Sequence, residues 1–594
     1  MKRLLLSVCL CVLSGFTQAA DKPNIILIYT DDHGHADLGI HGVVKDIRTP
    51  NLDALARSGV VATHGYSTAP QCVPSRGGLM TGRFQGRFDL DNNGSSLDGF
   101  NKETTIATRL QNVGYATAQF GKWHLGPTEA ITKHGFKHVF SQNAQRPFSA
   151  NITLDGQDRP MSDLPPTEYH LDGCSKAAAS IIERYKDQPF FLYVAYRAPH
   201  TPLDAPKRYM DRFPGEMPER RRAALAMLSA IDDGVGLITS TLKKHGLTEK
   251  TLVFFIGDNG APLKIHKIDS PLKGDPGGWD GSLNTPLNGE KGMLSEGGIS
   301  TPFLIAWPGT IPGGQTYEHP VTALDFAATA AKVAGAFAPE DAAKAATSLD
   351  GVNLLPHLTG ENKEPPHDAL FWRWMAQSAV REGNWKLLRG GEREYLYDLS
   401  TDREEKHNLA AQHPEIATRL RSKLKTWADT LNPPGMALGP MAPTWNDYFD
   451  HYLEGKTVAP HAEKPAEAAS KTNGWEARNG KLTAKDGLLI LTPDQANKPT
   501  FITKSKLKLA GPVTAQITLK TTATGQGAIA WRLNDDKDFL PANRLTFPLQ
   551  ATADWQTHTL QIPTTGRVIH VRVHLPAGGA EFRTLNLIST SRSK

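Results

Sequence analysis

Four segments of this chain share one pattern: a short apolar run, rich in β-branched and aromatic residues, that stops abruptly at polar residues. They are Asn24–Tyr29 before Thr30-Asp31-Asp32, Tyr115–Phe120 before Gly121-Lys122-Trp123-His124, Phe190–Tyr196 before Arg197-Ala198-Pro199-His200, and Leu252–Ile256 before Gly257-Asp258-Asn259-Gly260. Continuous apolar runs of this length are typical of parallel strands that are buried on both faces. Because ligands bind beyond the carboxyl ends of such strands, the four polar termini are predicted to meet at one edge of a sheet.

Helical patterns lie between these runs, at Thr49–Ser58 with Asn51 as the candidate N-cap, and at Thr104–Asn112, Ser175–Tyr185 and Arg221–His245. Strands that alternate with helices predict an α/β fold with a mostly parallel central sheet flanked by helices. We assign residues 21–350 to this α/β domain.

The rest of the chain differs in pattern, and 594 residues exceed what one hydrophobic core supports. Residues 351–455 predict a smaller α+β subdomain, with antiparallel strands in Phe371–Leu388 and Glu394–Asp398 and a helix at Ile416–Leu431. Residues 456–474 are rich in Ala, Lys, Glu and Pro and predict a linker. Residues 475–594 contain short, often alternating runs between turn residues, which predicts an all-β sandwich.

Residues 1–20 have the features of a signal peptide. Lys2-Arg3 precede an apolar run at Leu4–Leu13 that is too short to span a bilayer. We therefore expect a periplasmic or secreted protein with no membrane insertion after cleavage. Lipid attachment at Cys9 or Cys11 is the alternative, although neither cysteine follows a small residue.

The overall charge is close to balanced. The chain has 66 Lys and Arg against 61 Asp and Glu, a net charge of +5. This gives no case for a nucleic-acid partner, although a local basic site would not show in the total.

Asp31 and Asp32 follow one predicted strand, and Asp258 and Asn259 follow another. Four oxygen ligands at one sheet edge indicate a site for a hard cation, Ca²⁺ or Mg²⁺. No Cys/His cluster with zinc spacing lies near them. The alternative for each pair is a solvated turn or a helix cap.

Cys72 stands before a predicted helix, in Cys72-Val73-Pro74-Ser75-Arg76. Pro74 suits the first turn, so residue 72 is expected at a helix N-terminus, where backbone N–H groups favour an anion. Arg76 lies one turn further on the same face, with a surface salt bridge as its alternative role. A disulfide from Cys72 to Cys174 is the alternative fate of the cysteine.

Lys122, His124, His200 and Lys291 add cations and proton donors at the same predicted edge. Lys291 stands in Gly289-Glu290-Lys291-Gly292, which lacks the spacing of a phosphate-binding P-loop. Each of these residues alone is weak evidence of function.

Together these motifs resemble those of type I, formylglycine-dependent sulfatases of the alkaline phosphatase superfamily, over about residues 22–445. The resemblance is carried by Lys22-Pro23-Asn24-Ile25-Ile26 leading to Asp31-Asp32, by Cys72-Val73-Pro74-Ser75-Arg76, by Gly121-Lys122-Trp123-His124-Leu125-Gly126, by Gly257-Asp258-Asn259-Gly260, and by Gly289-Glu290-Lys291-Gly292 with Glu296-Gly297-Gly298. The cysteine motif is the most specific, because it is similar to the sequence that a maturation enzyme oxidises to formylglycine (3-oxoalanine).

The resemblance implies a role for each matching residue. It implies that Asp31, Asp32, Asp258, Asn259 and the modified residue 72 hold one Ca²⁺. It implies that Arg76 and Lys122 hold residue 72 and the sulfate oxygens, that His124 acts as a base, and that His200 and Lys291 bind sulfate and protonate the leaving oxygen. It also implies a formylglycine-generating or equivalent enzyme as a partner.

The substrate is read from aromatic and charged residues outside these motifs. His266, Trp279 and Asp280 in the loop 264–289, and Trp372 with Arg373, are of the types that suit sugar rings, and ordinary packing is their alternative role. An exported sulfatase with an added sandwich resembles bacterial enzymes that desulfate polysaccharides, so we expect a sulfated carbohydrate. The alternatives are a phosphate or phosphonate ester hydrolase of the same superfamily, and an inactive protein that binds sulfated glycans.

Overall fold

A computed structural model describes residues 22–594, except for 144–145, 151, 155–156, 160–161, 164–168, 266–278, 338–348, 437–440, 459–471, 473, 486–487, 495–499, 506, 508, 535, 537 and 590–594. Within 141–168 only the backbone is described. The predicted signal peptide, His266 and most of the predicted linker therefore lie outside the described residues. The chain divides into two compact units, residues 1–460 and 461–594.

The first unit is built around a mixed, mostly parallel sheet. Its strands, in chain order, are β1 (Asn24–Asp31), β2 (Val60–Ala62), β3 (Gly65–Tyr66), β4 (Ala116–Gly121), β5 (His138–Asn143), β6 (Arg146–Ala150), β7 (Ile152–Leu154), β8 (Gln157–Arg159), β9 (Ser162–Asp163), β10 (Phe190–Pro199), β11 (Thr251–Gly257), β12 (Phe303–Ala306), β13 (Gln315–Tyr317), β14 (Val321–Thr322), β15 (Leu370–Trp374), β16 (Gln377–Glu382), β17 (Trp385–Gly390) and β18 (Arg393–Asp398). The sheet order is β13-β2-β12-β11-β1-β10-β4-β5-β6-β9.

The four apolar runs of the sequence form adjacent parallel strands at the centre of this sheet. Strand β1 pairs in parallel with β10 on one side and β11 on the other, and β10 pairs with β4. Ile26 and Ile28 of β1 face one hydrophobic core, whereas Ile25, Leu27 and Tyr29 face a second core on the opposite side of the sheet. Burial on both faces explains the unbroken apolar runs, and the predicted α/β fold is confirmed.

The helices cover both faces of the sheet and continue beyond it. They are α1 (Pro50–Arg57), α2 (Cys72–Thr81), α3 (Ile106–Asn112), α4 (His170–Arg184), α5 (Lys207–Met210), α6 (Glu219–Lys244), α7 (Glu296–Ile299), α8 (Leu324–Ala334), α9 (Leu355–Leu358), α10 (Pro414–Ala428) and α11 (Pro443–Tyr452), with short 3₁₀ helices at Gly39–His41, Gln85–Phe88, Phe100–Lys102, Thr128–His134 and Thr248–Lys250. Helix α6 is long and apolar enough to cross a membrane, but 72% of its apolar stretch is buried inside the fold. Its composition is thus accounted for by core packing.

The predicted cap of α1 is wrong. The N-cap is Thr49, and Asn51 lies inside the first turn after Pro50. The free N–H groups of Asn51 and Leu52 donate to the Asp232 carboxylate at 3.0 and 2.8 Å. A carboxylate from α6 therefore satisfies this helix end, and the local sequence carries no signal of it.

The first unit also contains the two-stranded sheets β14-β3 and β7-β8, and a four-stranded antiparallel sheet, β15-β16-β17-β18, against which α10 packs. The second unit contains β19 (Glu476–Arg478), β20 (Gly480–Lys485), β21 (Leu488–Pro493), β22 (Thr500–Lys504), β23 (Leu509–Ala510), β24 (Val513–Thr521), β25 (Gly525–Leu533), β26 (Arg544–Leu549), β27 (Thr552–Ile562), β28 (Arg567–Leu575) and β29 (Ala580–Ser589). They form two antiparallel sheets, β19-β22-β28-β25-β26 and β20-β21-β29-β24-β27, around a core that includes Trp475 and Trp531.

Candidate active site

The polar termini of the central strands meet at one edge of the sheet, as predicted. The Lys122 ammonium after β4 lies 2.5 Å from Asp31 Oδ2 at the end of β1. His200 Nε2 after β10 lies 3.6 Å from Asp32 Oδ2, and Asp258 Oδ1 after β11 accepts a hydrogen bond from Asp32 N at 3.0 Å. Side chains that are far apart in sequence thus form one polar cluster.

Cys72 is the first residue of α2 and faces this cluster. Its side chain is fully buried, with Sγ 3.4 Å from Asp31 Oδ1 and 3.3 Å from Lys291 Nζ. Burial raises the pKa of the thiol to about 12, so an unmodified Cys72 is a neutral and weak nucleophile. Cys72 and Cys174 are both free, so the alternative disulfide is absent from the structure.

Arg76, one turn along α2 from Cys72, contacts the cluster through several hydrogen bonds and ion pairs. Its Nη2 donates to Asp258 Oδ2 at 2.8 Å and lies 3.6 Å from Asp31 Oδ1, and its Nη1 donates to Tyr193 Oη at 3.2 Å. The ring of Tyr29 lies 5.2 Å from the guanidinium carbon. Arg76 is fully buried, which excludes the surface salt bridge that the sequence left open.

Sequence reasoning missed Tyr29 and Tyr193 as members of the site. Both lie in apolar runs on strands β1 and β10, where an aromatic residue is indistinguishable from ordinary core. Their hydroxyls are their only distinguishing feature. Tyr29 Oη bonds to Ser75 Oγ at 2.8 Å, which ties β1 to the helix that carries Cys72.

The oxygen atoms of the cluster are suited to a hard cation. Atoms of Asp31, Asp32, Cys72 and His200 lie within 4.8 Å of one another. Asn259 donates through Nδ2 to Asp32 Oδ1 at 2.7 Å, while its buried Oδ1 has no hydrogen-bond partner among the residues that the structure describes. A buried carbonyl oxygen without a partner beside carboxylates is the donor set that Ca²⁺ or Mg²⁺ takes.

Two details of this set differ from the sequence expectation. His200, to which the resemblance assigns sulfate binding and proton donation and not metal binding, lies within the same group of atoms as the carboxylates. Asp258 is not in that group, and its oxygens accept hydrogen bonds from Arg76 and from Asp32 N.

The charged side chains of the cluster balance one another. Three carboxylates, Asp31, Asp32 and Asp258, face three cations that pair with them: Arg76, Lys122 and Lys291. Burial opposes ionisation of Asp31, but Lys122 and the other cations hold the pKa of that carboxyl well below its usual range. A divalent cation at this place would leave a local excess of positive charge, which favours an anionic substrate.

The two histidines lie on the open side of the cluster. Burial lowers the pKa of His200 to about 4, against the attraction of Asp31 and Asp32. Desolvation, and then the charges of Lys122 and Arg76, also lower the pKa of His124, which lies three residues after the end of β4 and has a left-handed backbone (φ 62°). Both imidazoles are therefore neutral at physiological pH and able to accept a proton.

Lys291 is positioned by a loop that the last helix of the first unit supports. Lys291 Nζ donates to Asp32 Oδ1 at 2.7 Å. The next residue, Gly292, has φ 93°, and a Cβ atom there would lie 2.3 Å from the Trp445 ring of α11. Asn288 of the same loop donates to Tyr452 O at 2.7 Å. This loop therefore depends on α11 for its position.

The residues predicted to bind a sugar differ in how deeply they are buried. Asp280 is buried and forms an ion pair with Lys264 at 2.7 Å. Trp279 is partly buried and donates a hydrogen bond to Ser282 O at 2.6 Å. Trp372 is 1% exposed and donates to Ser67 O, and Arg373 is 4% exposed and donates to Pro433 O. The packing role left open by the sequence thus describes Trp372 and Arg373 best. His266 lies outside the described residues.

Comparison with known proteins points to one family. The sulfatase family model matches residues 23–336, and the model described as N-sulphoglucosamine sulphohydrolase, C-terminal, matches residues 289–430. Arylsulfatase A of Bos taurus is 31% identical over 478 residues, which is 68% of this chain and 87% of that protein. N-acetylgalactosamine-6-sulfatase of Homo sapiens is 30% identical over 64% of this chain and 75% of its own length. The crystal structure of Ps i-CgsB in complex with k-i-k-neocarrahexaose superposes with a TM-score of 0.60 and 30% identity, over 72% of this chain and 97% of that chain.

Proposed function

The chain belongs to the sulfatase family of the alkaline phosphatase superfamily and hydrolyses sulfate esters, and on this premise we propose that its substrate is a sulfated carbohydrate. The proposal includes a formylglycine at position 72, one bound Ca²⁺, and export to the periplasm or the medium. The observation that carries it is the position of Cys72, which is buried between Asp31 and Lys291 at the convergent sheet edge.

The cations around residue 72 are arranged to bind a sulfate group. Lys291 lies within hydrogen-bond distance of the Cys72 sulfur, and Lys122 and Arg76 surround the adjacent Asp31. Fixed cations in a desolvated site stabilise the negative charge that builds on the sulfate oxygens as the ester bond breaks. A formylglycine hydrate at position 72 would supply a hydroxyl nucleophile, together with a second hydroxyl on the same carbon.

Proton transfer falls to the groups on the open side. The neutral His124 is suited to accept a proton from residue 72. The carboxylate of Asp32 keeps Lys291 protonated, so Lys291 is the group suited to protonate a leaving oxygen, and His200 beside Asp32 would bind the sulfate group. Asp31, Asp32, Asp258 and Asn259 would hold Ca²⁺, which would add Lewis-acid polarisation of the ester. The partnerless Asn259 Oδ1 supports this assignment.

A carbohydrate substrate is supported by similarity to proteins with such ligands. Ps i-CgsB is described in complex with a neocarrahexaose, and human N-acetylgalactosamine-6-sulfatase carries a sulfated sugar in its name. The proposed export agrees with an extracellular polysaccharide as substrate, because a polymer of that size does not cross membranes unaided.

The test is the chemical state of residue 72 in active enzyme. The tryptic peptide Ser58–Arg76 should contain an aldehyde form that is lighter than the thiol form and reacts with hydrazides. Cys72→Ala should abolish release of sulfate, whereas the matched control Cys174→Ala should retain it. Active enzyme in which residue 72 is entirely thiol would contradict the proposed mechanism.

Two comparisons of kinetics test the substrate. A higher kcat/KM for an aryl sulfate than for the matching aryl phosphate is expected, and the reverse order would favour the phosphate alternative. Release of sulfate from sulfated galactan or glycosaminoglycan oligosaccharides is expected as well. Turnover of aryl sulfates without any release from a broad panel of sulfated sugars would contradict the carbohydrate assignment.

A further inference from the structure

The charge of this chain is unevenly distributed between its parts. Residues 475–594 contain sixteen Lys and Arg against eight Asp and Glu, a net charge of +8, whereas the whole chain has a net charge of +5. Residues 1–474 are therefore slightly acidic, and the sandwich carries the positive charge. A small domain with such an excess attracts polyanions over long distances.

One outer sheet face of the sandwich collects much of this charge. Strand β28 alternates between Val571, Val573 and Leu575, which face the core, and His570, Arg572 and His574, which face outward. Arg532 on β25 lies opposite His570, and Arg544 on β26 lies opposite Ala530. We call the outward residues Arg532, Arg544, Arg572, His570 and His574 the basic face.

Aromatic rings are interleaved with these cations. The guanidinium of Arg572 lies 3.9 Å from the ring centre of Phe539 and 5.2 Å from that of Phe501. Phe539 also packs on His570, and Phe501 packs on His574, at centroid distances of 4.9 and 5.0 Å. Arg544 is exposed, and Phe539 is half-buried. Stacking between two rings holds a guanidinium flat and preorganises its N–H groups for an oxyanion.

No ion pair neutralises Arg572 or Arg544 within the part of the sandwich that the structure describes, and Arg572 Nε is buried without a hydrogen-bond partner. Glu476, on the edge strand β19, lies 3.6 Å from Arg478. Partial burial, followed by the charges of Arg544 and Arg572, lowers the pKa of His574, which is consistent with the positive charge of these two guanidinium groups beside the ring.

Long side chains cover the centre of the basic face. Ala528 and Ala530 on β25 lie between His574 and Arg572 on β28 and Thr546 and Arg544 on β26, and they are only 1% and 6% exposed. The surface that a ligand would meet is therefore formed by the longer cationic and aromatic side chains around them. Aromatic rings suit sugar faces, and guanidinium groups suit charged substituents.

We infer that the basic face of the sandwich binds a sulfated polysaccharide chain, and thereby holds the polymer that the first unit desulfates. The choice of a sulfated glycan as the polyanion rests on the proposed function, because the face alone would also suit a nucleic acid. The interleaved cations and rings favour this binding role over a purely structural role for the sandwich.

The test uses the full-length chain with Cys72→Ala, so that polymer is not consumed. The probes are a sulfated galactan, the same galactan after chemical desulfation, and single-stranded DNA, with binding measured by affinity electrophoresis. Arg544→Ala/Arg572→Ala should raise the Kd for sulfated galactan at least about tenfold, the effect of losing charge-assisted contacts. The matched control is Lys481→Ala/Lys485→Ala, which removes two exposed cations from the other sheet and should change the Kd less than about twofold.

Three results would overturn the inference: an equal loss in the control variant, equal binding of desulfated galactan, or tighter binding of DNA than of sulfated galactan. If the double variant does not fold, Arg544→Ala alone decides, because this side chain is exposed, and less than about a twofold change would count against the face. The double variant with Cys72 restored should keep wild-type turnover of an aryl sulfate. A wild type that binds galactan through this face but releases no sulfate would refute the proposed function and leave this inference intact.

Discussion

Gly292→Ala tests whether the loop of Lys291 depends on its packing against α11. A Cβ atom at residue 292 would lie 2.3 Å from Trp445 Cζ3, whereas carbon atoms in contact are about 3.5–4.0 Å apart, so one partner must move by more than about 1 Å. The loop cannot easily retreat, since Gly292 N donates to Pro70 O at 2.9 Å and Lys291 N donates to Ala261 O at 3.2 Å. The displacement therefore falls on Trp445 and on Lys291.

The expected effect on catalysis follows from the size of that displacement. A shift of about 1 Å in a group that contacts the reacting atoms lowers turnover about 100-fold. We expect kcat/KM for an aryl sulfate to fall by this order in Gly292→Ala. Removing the obstructing ring as well, in Gly292→Ala/Trp445→Ala, should recover part of the loss.

A matched variant separates the steric clash from backbone strain. Gly314 also has a positive φ, 74°, but an added Cβ atom meets nothing within 4 Å. Both alanine variants carry a backbone penalty of about 1–2 kcal/mol in the left-handed region, so both should lower the Tm. Only Gly292→Ala should lower kcat/KM. Equal kinetics for the two variants, or a Gly292→Ala enzyme within twofold of the wild type, would refute the reasoning.

Three further predictions concern the ion, a buried ion pair and a histidine. Exhaustive chelation should stop sulfate release, and Ca²⁺ should restore it best. Full activity in a sample that elemental analysis shows to be free of metal would exclude a catalytic role for the ion. Lys386 is fully buried between Glu296 and Glu405, at 2.8 and 2.9 Å. Lys386→Met should therefore lower the free energy of unfolding, measured by urea denaturation, by about 3–5 kcal/mol, and Lys386→Met/Glu405→Gln should regain part of that stability. Burial disfavours the charged form of His367, but Asp325 at 2.9 Å raises its pKa. The stability that His367 contributes should be complete below pH about 6.5, its unfolded pKa, and should fade as pH rises through the folded value, which titration of the wild type against His367→Gln would show.

The sequence predicted those features that depend on patterns within a segment. The apolar runs located the central strands, and the polar residues after them located Asp31, Asp32, Lys122, His200 and Asp258, because parallel strands of one sheet present their ends together. The position of Cys72 at the N-terminus of α2 followed from one proline and the start of a helix. These inferences need no knowledge of which helix packs where.

Features that depend on contacts between distant segments were not predictable. Tyr193 belongs to no sequence motif, and only the structure shows that its hydroxyl lies within hydrogen-bond distance of Arg76. Asp232 caps α1 from another helix, and Trp445 supports a loop more than 150 positions earlier. The sequence prediction gave the aromatic residues Trp372 and Trp279 a role in sugar binding on residue type alone, and burial now gives Trp372 a packing role.

The complete burial of Cys72 requires that modification of this residue come before the completion of folding. Once the first unit has folded, the Cys72 side chain has no exposed surface, so another enzyme cannot reach it. Any covalent change at residue 72 must then take place while the segment is still an open chain, either during synthesis or before folding is complete on the far side of a membrane. Because the loop beside Cys72 rests on α11, that interval lasts until residues near 450 have been made and docked. A host that folds the chain faster than it modifies it would accumulate soluble, stable and permanently inactive protein.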